Sequence, residues 1–78
     1  RRLNLRRTIE FKFELDKILD PLPENITGTM KGSIYAKADK MDQDAAMDFI
    51  DSKVKDGTID EETREKLFKL LKYFCVYR

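Results

Sequence analysis

The sequence predicts an α+β fold: a long antiparallel β-hairpin followed by two helices packed on its apolar face, in the order ββαα, with a short strand as the alternative for the C-terminal residues. Three observations lead there. Apolar and polar residues alternate from Leu3 to Leu15. A second alternating stretch runs from Ile26 to Ala38, after a segment broken by Pro21 and Pro23. The remaining chain carries two apolar patterns of helical period, separated by Asp56-Gly57.

On the first expected strand, Leu3, Leu5, Ile9, Phe11, Phe13 and Leu15 share one face, interrupted only by Arg7. Arg2, Asn4, Arg6, Thr8, Glu10, Lys12 and Glu14 share the other. On the second, Ile26, Gly28, Met30, Gly32, Ile34, Ala36 and Ala38 lie on one face, with Thr27, Thr29, Lys31, Ser33, Tyr35 and Lys37 opposite. Between them, Ile18, Leu19 and Leu22 suggest a turn of helix or a loop tucked onto the core. Pairing the strands about this loop sets Phe13 against Gly28, Phe11 against Met30 and Ile9 against Gly32. Glu10 then lies beside Lys31, an opposite-charge pair on the outer face. The glycines either relieve crowding beneath the phenylalanines or mark bulges or close backbone approach.

The first expected helix starts at Asp42 or Asp44 as cap and runs to about Lys55, with Ala45, Ala46, Phe49, Ile50 and Val54 on its apolar face. Gly57 suits the left-handed position that follows a helix. The second starts after Thr58, where Thr58 to Glu61 fits a capping box, and continues to about Phe74 through Leu67, Leu70 and Leu71. A two-stranded sheet is barely stable alone, and its long edges invite pairing with another chain.

The chain has 78 residues and a net charge of +1, which fits one small domain spanning 1–78. It begins with Arg1, so the domain is expected to be trimmed, processed or cut from a longer chain. Charge is unevenly spread: net +3 over residues 1–38, −6 over 39–62 and +4 over 63–78. The near balance excludes a strongly basic nucleic-acid tail as the main theme. Cys75 is the only cysteine, so no intrachain disulfide forms, and a cytoplasmic, reducing setting is expected. No apolar run approaches the ~20 residues needed to span a bilayer, so no membrane partner is expected.

Several chemistries are excluded or disfavoured. The sequence contains no His, so Ser-His and Cys-His pairs are absent. Cys75 sits among Phe74, Val76 and Tyr77, where a buried inert thiol is expected. Asp39, Asp42, Asp44, Asp48 and Asp51 read as a solvated helix face, with nothing to specify their convergence on Mg²⁺. No glycine-rich phosphate loop is present. The expectation is a non-enzymatic protein with no cofactor and no metal.

The stretch from Asp56 to Asp60 resembles the second half of a helix-loop-helix calcium loop, with Gly57 at the sixth loop position. In that register Ser52, Val54 and Thr63 occupy three ligand positions, and none is a carboxylate. The stretch therefore reads as a helix stop followed by a helix start.

Two functions remain. The first is a small interaction module that self-associates as a dimer through the strands of its hairpin and acts by protein contacts with an unidentified partner. Tyr73, Phe74, Val76 and Tyr77 crowd the C-terminal end beside Arg78 and form its candidate protein interface. The alternative is a DNA- or RNA-binding regulator using the outer face of the hairpin, with Arg2, Arg6, Lys12, Lys31, Tyr35 and Lys37 as candidate contacts. In element order, Ser33 to Phe74 is similar to the ribbon-helix-helix repressors. The extra preceding strand departs from that pattern. So does Asp60-Glu61-Glu62 at the start of the second helix, which repels phosphate.

Overall fold

Leu15, Ile18, Leu19 and Leu22 recur at the spacing of one helix face, and the first three lie in the first long helix of the chain. The computed structural model describes residues 1–77. Helix α1 spans Thr8–Leu19, entered through one tight turn at Leu5–Arg7. Helix α2 spans Glu24–Ala36 and winds on through a wider turn, Lys37–Met41. Helices α3 (Gln43–Lys55) and α4 (Glu61–Phe74) complete the set. Two short strands, β1 (Arg2–Leu3) and β2 (Cys75–Val76), pair antiparallel, Leu3 opposite Cys75.

The α+β hairpin fold expected from the alternation is therefore wrong: among the described residues the protein is mostly helical, and its strands have two residues each. The reason is a degeneracy of spacing. Residues four apart share a face in both a strand and a helix. Phe11, Leu15 and Leu19, and Met30, Ile34 and Ala38, are four-spaced sets and all are buried. The positions between them decide the period. A strand would bury Ile9 and Phe13 with Phe11, whereas α1 leaves them 84% and 59% exposed. The expected pairs dissolve with the hairpin: Glu10 binds Arg7 at 2.7 Å, and Lys31 binds Asp16 at 2.9 Å. Gly28 and Gly32 sit inside α2 on its exposed side, and a Cβ at either would meet nothing within 4 Å. They relieve no crowding beneath a phenylalanine.

Pro21 and Pro23 do break the chain, but between two helices. Pro23 precedes the first residue of α2, and the Thr27 hydroxyl donates among the carbonyls of Leu19, Leu22 and Pro23 at 3.1–3.2 Å. That hydroxyl adds a side-chain donor to the carbonyls of the connection, beside the Leu22 N–H that Leu19 O at the end of α1 already accepts at 3.0 Å.

Each helix packs on its neighbours in sequence, and α1 packs on α4, closing a ring. Phe11, Leu15, Leu19, Met30, Ile34, Ala46, Ile50, Leu67 and Leu71 fill its centre. Phe11 meets Phe74 edge to face at a centroid separation of 5.8 Å. The termini close one end. Asn4 N donates to Phe74 O (2.8 Å), and Gln43 N donates to Arg1 O (2.6 Å). The Arg2 guanidinium donates twice to the Asp39 carbonyl in the wide turn, at 2.9 and 2.5 Å.

The back half has clear local causes. Asp42 Oδ1 accepts from Ala45 N at 2.8 Å and caps α3. Gly57 takes φ +84°, the left-handed value that ends α3. The cap of α4 is Asp60, which accepts from Thr63 N at 2.8 Å, and not Thr58. Thr58 instead donates its N–H and hydroxyl to Asp56. Asp51 of α3 accepts from Arg64 of α4 at 2.5 Å, and the Arg64 guanidinium lies 4.3 Å over the Phe68 ring.

Candidate interaction surface

Helix α1 has two apolar faces. One holds Phe11, Leu15 and Leu19 in the core; the other holds Ile9 and Phe13 in solvent, with Leu5 just before the helix. A step of about 100° per residue puts Phe13 on the side of the helix away from the core. The Lys17 ammonium rests 4.8 Å over the Phe13 ring. The exposed apolar surface continues across a cleft of about 390 Å³ to Tyr73 of α4, which is 66% exposed.

Arg7 organises the cleft. Its guanidinium donates to Glu10 Oε2 at 2.7 Å and reaches the Tyr73 hydroxyl at 3.5 Å. It also lies 4.8 Å from the Tyr73 ring centre and 4.6 Å from that of Phe74. The hydrogen bond from Arg7 holds the Glu10 carboxyl below its ordinary range, and the Glu10 and Tyr73 hydrogen bonds hold Arg7 above its own. Both groups keep their charge at neutral pH, so the apolar surface has a fixed ionic rim.

The expected interface residues separate. Tyr73 and Tyr77 are exposed, and Arg1 stacks over Tyr77 at 4.7 Å. Val76 is 37% exposed, at the end of β2. Phe74 is buried between Phe11 and Tyr73 and belongs to the core. Arg78 lies outside the described residues. The long strand edges on which association through a hairpin depended are absent among the described residues.

The expected nucleic-acid contacts divide as well. Lys12, Lys31 and Tyr35 come together in a groove of about 280 Å³ between α1 and α2, with Asp16 among them. Lys12 lies 4.4 Å over the Tyr35 ring. Arg2 is occupied with the Asp39 carbonyl, and Lys37 lies 5.7 Å over Phe49. Arg6 is exposed in the tight turn, beside Leu5 and Ile9. The six do not form one face.

The outward set Leu5, Ile9 and Phe13 is invisible to the alternating pattern, because an alternating strand would bury them. The signal that locates them is the helical run Leu15, Ile18, Leu19 and Leu22: extended back to Phe11, it leaves Ile9 and Phe13 on the wrong side for the core. No family model, curated protein or solved structure matches the chain. Among the described residues, no helix is long and apolar enough to cross a membrane.

Proposed function

We propose that this domain is a small non-enzymatic module that self-associates and acts through protein contacts, using the outward face of α1 and the adjoining Tyr73. One observation carries this reading. Ile9, Phe13 and Tyr73 are large apolar or aromatic side chains left in solvent by a domain whose core is enclosed without them. Neighbouring exposed residues of this kind mark interaction sites. Tyr framed by Arg is also a common anchor at interfaces. Association through strands is replaced by association through helices. A reducing compartment suits the single buried thiol, Cys75.

The test is a concentration series by light scattering and sedimentation, with Tyr73→Ser and Ile9→Ser as variants. The expected result is a mean mass that rises with concentration and falls in both variants. A strictly monomeric wild-type chain at the highest concentrations would refute it.

A second reading, nucleic-acid binding, is favoured by the meeting of Lys12, Lys31 and Tyr35 in one groove. Two cations around an aromatic ring can hold a phosphate and stack a base. Its test is binding to short single strands at low salt, before and after Lys12→Ala with Lys31→Ala. An unchanged constant would eliminate it.

A further inference from the structure

The charges that flank Phe13 follow a pattern that is complementary to itself. Helical geometry places Phe13 at the outward pole of α1 with Ile9 beside it. Lys12 and Asp16 lie on one flank, and Glu10, Glu14 and Lys17 on the other. The first flank carries one cation and one carboxylate; the second carries one cation and two carboxylates, with Glu14 held by Lys17 at 3.8 Å. When two copies of such a helix pack antiparallel about a two-fold axis, each flank meets the same flank of the other copy. With Phe13 against Phe13, the 1.5 Å rise sets Lys12 within about 3 Å axially of Asp16 on the second copy, and Glu10 within about 1.5 Å of Lys17. Four opposite-charge pairs then surround a centre made of two Phe13 and two Ile9 side chains; the two Glu14 carboxylates also approach within about 3 Å axially, each held by Lys17 of its own protomer. A parallel pairing also matches the charges, but it aligns the helix dipoles head to head, and the antiparallel one opposes them.

Resting on the reading above, we propose that the occupant of this face is a second copy of the chain, with α1 packed antiparallel on α1 and Phe13 at the two-fold axis. The groups are already positioned within each protomer. Asp16 is held by Lys31 at 2.9 Å, Glu10 by Arg7 at 2.7 Å, and Lys17 lies over the Phe13 ring. Part of their side-chain freedom is already lost, which lowers the cost of ordering them on association; pairs across the two-fold share these groups with their partners in the same protomer, among them Tyr35 beneath Lys12 and Glu14 beside Lys17. The 12 residues of α1 span about 18 Å, and a stripe about 10 Å wide along them falls well short of the ~800 Å² per partner of a standard interface. The dimer is accordingly weak and populated at high concentration. Its rim pairs set register and choice of partner more than affinity.

The experiment uses two complementary variants of the whole chain. One makes the face acidic, with Lys12→Glu and Lys17→Glu. The other makes it basic, with Glu10→Lys and Asp16→Lys. Sedimentation equilibrium is run on each alone and on an equal mixture, with circular dichroism confirming the helical fold. Each variant alone is expected to dimerise at least about tenfold more weakly than the wild type, and the mixture to recover association as a heterodimer. Phe13→Ser, at an exposed position, is expected to weaken the wild-type dimer about tenfold or more without unfolding it. If the charge variants fold poorly, Phe13→Ser alone decides. Wild-type dimers that Phe13→Ser leaves intact overturn the proposal. So does a folded acidic and basic pair that fails to associate on mixing; in both cases association through another part of the surface still stands. A monomeric wild-type chain removes both the proposal and the reading beneath it. Binding of that monomer to anionic vesicles, or to a different protein, would name another occupant.

Discussion

Replacing the two glycines of α2 with alanine should stabilise the protein. Gly28 and Gly32 lie in the interior of a 13-residue helix, neither has positive φ, and a Cβ at either meets no atom within 4 Å. No packing therefore opposes the substitution, and helix propensity alone sets its effect, about 0.8–1 kcal/mol per site. The two sites lie one helical turn apart and are neighbours on one face, so the double variant should gain more than either single one, up to about 2 kcal/mol. For a domain of this size each kcal/mol raises the melting temperature by about 4–8 °C. Urea and thermal denaturation of Gly28→Ala, Gly32→Ala and the double variant measure this directly. Gly57→Ala is the control of opposite sign: at φ +84° a side chain costs about 1–2 kcal/mol. A loss of stability in the α2 variants would refute the reasoning. That is the outcome expected if these glycines lay beneath phenylalanines in a sheet, where added methyl groups would crowd the facing rings.

Other outcomes follow from the same structure. Phe11→Ala should cost about 3–5 kcal/mol in urea denaturation, because the ring is fully buried against Phe74, whereas Phe13→Ala, two residues on, should cost far less. Equal costs would contradict the helical assignment of α1. Acid should destabilise the fold through the capping carboxylates. Asp60, by its bond from Thr63 N–H, and Asp56, by its bonds from the Thr58 hydroxyl and N–H, are held below the ordinary value of 3.8. A carboxyl depressed in the folded state stabilises fully above its unfolded value and loses that contribution as pH falls through the folded one. Thermal midpoints should therefore be nearly flat from neutral pH to about 5 and fall below about 4. Asp60→Asn should be the less stable protein at neutral pH, with the gap closing in acid; a gap independent of pH would refute the assignment.

The back half of the chain is legible in the sequence because its signals are local. Asp42, Gly57 and the heptad-like run Leu67, Leu70, Leu71 and Phe74 each act within one or two turns, so cap, stop and apolar face can be read without the rest of the molecule. The cap of α4 lies two residues beyond its expected place, since both Thr58 and Asp60 are competent caps and only the course of the α3–α4 connection selects between them. The front half is ambiguous because four-residue spacing fits both periods. The residues that resolve it, Ile18 and Leu19, fall in the expected loop between the strands. The candidate surface is hidden by the same choice of period, which buries Ile9 and Phe13.

By itself the sequence determined that these 78 residues hold no His and a single Cys, that the chain breaks at Pro21–Pro23 and at Gly57, and that two helices follow residue 42, one to about Lys55 and one from beyond Thr58 to about Phe74. These follow from residue chemistry and short-range backbone preference. Only the tertiary structure decided which apolar residues of the first 38 are core and which are surface. Phe11 and Phe13 are the same residue type two positions apart, with similar local preferences. Phe11 is enclosed because α4 presents Phe74 to it; Phe13 borders the open cleft beside α4 and stays 59% exposed. That difference depends on which partner each side of α1 finds, and partners distant in sequence are set by the packing of the four helices as a whole.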